Sequence, residues 1–83
     1  MKATAADPLI ERGLPASPEA ERAVLGAIIL DNAAYNLAAT VIRGEDFSVD
    51  AHRRIFERMI ALMEGVPLRP VDYTTLTEEL LRS

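Results

Sequence analysis

Cysteine is absent from this chain of 83 residues, which excludes a disulfide framework and any thiolate metal site. Histidine occurs once, at His52, so an imidazole cluster holding a metal is excluded as well. Glycine stands alone at positions 13, 26, 44 and 65, and neither a phosphate-binding loop nor a dinucleotide fingerprint can be assembled from such spacing. Apolar runs stay far short of the ~20 residues that span a bilayer. The N-terminus lacks the basic-then-apolar order of a secretion signal. These absences point to a soluble, cytoplasmic protein without a membrane role. Positive charge is also scarce: 9 Lys and Arg stand against 13 Asp and Glu, a net −4, which argues against general attraction to nucleic-acid phosphates.

What is present suits a small helical domain. Hydrophobic residues make up 49% of the sequence, enough to exclude disorder, yet a core drawn from so short a chain is marginal. The most informative stretch runs from Ser17 to Asn32. Ser17 is a good N-cap, because its hydroxyl can accept from a free amide of the first turn. Pro18 suits the first helical position, where no amide hydrogen is needed. Glu19 and Glu21 place negative charge at the positive end of the helix dipole, and Asp31-Asn32 supplies a polar stop. Between them, Val24, Leu25, Ile28 and Ile29 form a broad apolar face, and Ala23, Gly26 and Ala27 a second face of small residues. A helix apolar on all sides is expected to be buried, with another backbone passing close to Gly26.

The rest of the chain divides into short helical segments. Residues 1–13 read as a flexible arm, and residues 14–83 as one helical domain, with Leu14-Pro15 laid against the first helix. Asn32 is expected to cap a helix over Ala33–Ile42 that buries Leu37, Ala38, Val41 and Ile42 and ends at Gly44. Glu45-Asp46-Phe47 reads as one turn that drops Phe47 into the core. Ser48 is a plausible cap for an amphipathic helix over Val49–Glu64, with His52, Ile55, Phe56, Met59, Ile60 and Met63 on one face. Gly65 closes that helix, and two prolines make 66–71 a loop. Asp72 caps a last helix, Tyr73–Arg82, with Tyr73, Leu76 and Leu80 on its apolar side. That helix meets the end of the sequence without a stop signal, as expected of a domain cut short at its C-terminal end.

Catalytic constellations are lacking, so no catalytic residue is assigned. A serine triad would need His52, whose position beside Ile55, Phe56 and Met59 makes it a packed or interfacial histidine. Glu78-Glu79 and Glu45-Asp46 are adjacent rather than facing carboxylates and read as solvated surface. Arg43, Arg53, Arg54 and Arg58 cluster, but interleaved acids suggest an ion-paired helix face. The candidate partner-binding residues are Glu19 and Glu21, exposed beside the arm and able to meet a basic partner, and Arg54 and Arg58, one turn apart and able to meet an acidic one.

The order of these segments resembles the N-terminal domain of DnaB-type replicative DNA helicases. The resemblance rests on Leu14-Pro15, Ser17 to Glu21, Ala23 to Gly26 and Leu30 to Asn32. It continues through Glu45 to Phe47, His52-Arg53 with Ile55-Phe56, and Pro70 to Asp72 with Thr75-Leu76, and so covers Leu14 to Arg82. It implies an all-α fold, a small orthogonal bundle of about four helices, acting as a collar rather than a motor. It further implies a part in hexamer assembly and in docking primase and a helicase loader during DNA replication. ATP and magnesium would belong to a motor domain with no counterpart here, so no cofactor is expected in this chain. The sequence departs from the pattern in a longer loop at Gly65–Pro70, in Thr74, and in stopping before the family's helical hairpin. The alternatives are a standalone helical adaptor or mimic that binds a helicase or primase, and direct nucleic-acid binding through the Arg43–Arg58 stripe.

Overall fold

Ser17 adopts extended backbone, and its hydroxyl accepts from the Ala20 amide at 3.3 Å, the cap that launches helix α1 (Pro18–Leu30). The computed structural model describes residues 17–82, so the expected arm and the placement of Leu14-Pro15 lie outside the described residues. Within α1 a single face is buried, made by Glu21, Leu25 and Ile28 at positions i, i+4 and i+7. Ala23, Ala27 and Leu30 look away from the core, and Leu30 is 90% exposed. The expectation of a helix enclosed on every side is therefore corrected. α1 packs on α2 and α3 through one face, and among the described residues nothing lies within 4 Å of a β-carbon placed on Gly26. No other described backbone passes there.

Helix α2 spans only Ala33–Ala38, shorter than the expected run to Ile42. Thr40 turns its hydroxyl onto the Leu37 carbonyl at 2.6 Å, and Val41 and Ile42 both direct their amides to the Ala38 carbonyl. Such side-chain competition, followed by two β-branched residues, favours a turn over continued helix. Tyr35 and Ile42 are buried, while Leu37 is 58% exposed and does not join the core as expected. Asn32 makes no side-chain cap for α2; the Asp31 carboxylate accepts from the Ala33 amide instead, at 3.0 Å.

Gly44 opens a 3-10 turn (Gly44–Asp46) rather than terminating a helix. The turn is closed by the Arg43 amide donating to the Asp46 carboxylate at 2.8 Å and the Asp46 amide donating to the Arg43 carbonyl at 2.9 Å. It delivers Phe47 to the core, fully buried as the sequence suggested. Helix α3 (Asp50–Met63) follows within one residue of the expected bounds. Its buried face is Phe56, Met59 and Leu62, so Leu62 belongs to the core, and Ile55, Ile60 and Met63 pack at its edge.

Gly65 stands just past the end of α3, where a β-carbon would sit 2.6 Å from the Ala61 carbonyl oxygen. The loop contains a cis Val66–Pro67 bond, and the Arg69 amide returns to the Leu62 carbonyl at 2.9 Å. Helix α4 (Tyr73–Arg82) starts where expected. Asp72 and Thr75 cap it reciprocally, the Thr75 amide donating to the Asp72 carboxylate at 2.8 Å and the Asp72 amide to the Thr75 hydroxyl at 3.0 Å. Leu76 is buried and Leu80 half-buried, but Tyr73 is 80% exposed, a correction to its expected core role. Tyr73 is the first residue of α4, three positions before the buried Leu76.

Phe56 is the centre of the core. Its ring lies 5.1 Å from Phe47 and 6.2 Å from Tyr35, tilted against both, a geometry favourable beyond simple burial. Ile28, Phe47, Phe56, Met59 and Leu62 are fully buried, each contributing about 1.5–3 kcal/mol of transfer free energy. α1, the 3-10 turn and α4 all pack on α3, so α3 is the element with most neighbours.

Candidate partner-binding surface

Glu21 is the first sequence-derived candidate to change character. The register that buries Leu25 and Ile28 buries Glu21 one turn earlier, and the residue is fully inaccessible. Its carboxylate meets the chain just before α3. One oxygen accepts from the Ser48 amide at 2.8 Å and the Ser48 hydroxyl at 2.5 Å; the other accepts from the Val49 amide at 3.3 Å and faces His52 Nδ1 at 2.8 Å. An ionised carboxylate only accepts, so Nδ1 is assigned as the protonated ring nitrogen.

Burial by itself would push the Glu21 carboxyl up. The Ser48 hydroxyl, His52 and the two amides together outweigh burial and hold it down at about 2, against an ordinary 4.5. Glu21 is therefore an internal tie between α1 and the start of α3, not a surface ligand for a basic partner. Ser48 correspondingly gives its hydroxyl to Glu21 and leaves Val49 as a cap residue without a side-chain cap bond. His52, 12% exposed, is packed as expected, though against a carboxylate and not only against apolar neighbours.

The other candidates are accessible. Glu19 is exposed at the start of α1. Arg54 is exposed and Arg58 half-buried on α3, and among the described residues neither forms an ion pair. Arg53 behaves differently: it donates to the Phe47 carbonyl at 3.0 Å and lies 3.6 Å from Asp50, so it serves the 3-10 turn. The expected ion-paired face of α3 thus reduces, among the described residues, to one loose pair. The structure places Arg54 and Arg58 one helical turn apart, and places Glu19 and Glu21 on opposite sides of the solvent boundary.

Three polar ties escaped sequence reasoning. Asn32 donates from Nδ2 to the Ile28 carbonyl at 2.8 Å and the Val71 carbonyl at 2.9 Å, and its Oδ1 accepts from the Val71 amide at 2.8 Å. Glu79, expected on solvated surface, is 6% exposed and pairs with Arg69 and, at 3.3 Å, with Arg82. Burial beside the loop corrects that expectation, because Arg69, ten residues earlier, and Arg82, three residues later, make a carboxylate tolerable there. Tyr35 donates to the Glu64 carboxylate at 2.9 Å; burial first, then Glu64, push its hydroxyl up to about 12. Periodicity held one clue: Glu21 shares the i, i+4, i+7 line of Leu25 and Ile28. The Asn32 contacts with Val71 and the Glu79 contact with Arg69 left no such trace.

Large apolar side chains also reach solvent, among them Leu30, Leu37, Val66, Leu68, Tyr73 and Leu81. No described helix is long and apolar enough to cross a membrane. Among the described residues no group of three or more His, Asp and Glu side chains could hold a metal ion. What this arrangement can do is present exposed charged and apolar side chains on a hydrogen-bonded helical frame.

Comparison with known proteins gives the frame a context. The model of the DnaB-like helicase N-terminal domain matches residues 13–83. The replicative DNA helicase DnaB of Geobacillus stearothermophilus is 45% identical over 73 residues, covering 88% of this chain and 16% of that protein. The replicative DNA helicase DnaC of Bacillus subtilis (strain 168) is 43% identical over 74 residues, 89% of this chain and 16% of that protein. The Treponema pallidum DnaB helicase is 41% identical over 66 residues, 80% of this chain and 15% of its own length. The chain thus spans about one sixth of the curated relatives it matches. No solved structure matches it. With residues 13–83 under one family model and an all-helical frame among the described residues, the chain belongs to the DnaB-like helicase N-terminal domain family.

Proposed function

We propose that this domain is the non-catalytic collar of a replicative DNA helicase, acting in hexamer assembly and in docking primase or a loader during DNA replication. The observation that carries this reading is the family match over residues 13–83, with relatives named as replicative DNA helicases. The side chains support a binding rather than a chemical role. Glu21 engages both His52 and the Ser48 hydroxyl, which leaves no free nucleophile–base pair there. Arg54, Arg58 and Glu19 are the charged groups offered to a partner, and Glu21 is withdrawn from that set. ATP and magnesium serve the motor domain of the assembled helicase in this reading.

The test is made on the gene product from its own cells. Native mass should correspond to a hexamer, with DNA-stimulated ATP hydrolysis, and primase from the same cells should bind it. Joint replacement of Arg54→Glu and Arg58→Glu should weaken primase binding at least tenfold while leaving the melting temperature within a few degrees. A product without ATP hydrolysis that neither enters a helicase hexamer nor binds primase would overturn the proposal.

A further inference from the structure

We draw no further inference here: the strongest candidate, the outward apolar face of α1 formed by Ala23, Ala27 and the 90%-exposed Leu30 around the open space above Gly26, carries nothing because nothing in the structure shows what covers it.

Discussion

Replacing Asn32 tests the clamp that ties the α1–α2 corner to the segment entering α4. Its amide makes three hydrogen bonds, two of them to the backbone of Val71, a residue 2% exposed. A hydrogen bond of this kind contributes about 1 kcal/mol net, so Asn32→Ala should cost about 3 kcal/mol. For a chain of this size, with stability of roughly 4–12 kcal/mol, that is a quarter or more of the total. At about 4–8 °C per kcal/mol the melting temperature should fall by about 12–24 °C.

Asn32→Asp sharpens the test because it is nearly isosteric. One carboxylate oxygen can still accept from the Val71 amide, but the other would face the Ile28 and Val71 carbonyls without a proton to offer. The aspartate variant should therefore be less stable than the alanine variant at pH 7. Those carbonyls favour the protonated acid, raising the new carboxyl above its unfolded value of ~3.9. With a raised folded pKa, the missing stability is present below ~3.9 and is lost as pH rises through the folded value. Its deficit relative to wild type should accordingly shrink on acidification. Far-UV circular dichroism melts of the three proteins at pH 7 and pH 5 would measure this. A loss under 4 °C for Asn32→Ala, or an aspartate deficit that does not shrink at the lower pH, would refute the reasoning.

Other substitutions follow from the same geometry. Ile28→Ala removes a fully buried side chain and should cost about 2–5 kcal/mol by chemical denaturation; near-unchanged stability would contradict the core assignment. Gly26→Ala should stabilise by about 0.5–1 kcal/mol, because the added methyl meets nothing within 4 Å, whereas Gly65→Ala should destabilise against the Ala61 carbonyl at 2.6 Å. Opposite signs in paired thermal melts would bear out both environments. Glu21 is held at about 2 against 4.5, so its contribution is present above pH 4.5 and is lost as pH falls through about 2. Glu21→Gln should lower the melting temperature at pH 7 and flatten the acid limb of an acid titration; an unchanged limb would show that the tie does not set acid stability.

The helix starts and stops were largely legible in the sequence because their chemistry is local. Ser17, Pro18, Asp72 and Thr75 act within one turn of themselves, and Gly65 answers to a carbonyl four residues away. Phe47, Phe56 and Met59 could be assigned to the core because period and size agree, and the family resemblance rested on the same local segments. Tertiary structure alone decided the destinations of polar groups and the exposure of α1. Asn32 reaches across 39 residues to Val71, and Glu21 across 27 and more to Ser48, Val49 and His52. No propensity or spacing carries such pairings, since they exist only once two helices fix the distance between side chains. Whether the apolar Ala23–Leu30 line is buried depended likewise on which sides of α1 have neighbours. Sequence determined that the helix would be apolar; only the packing decided that one of its faces would meet solvent.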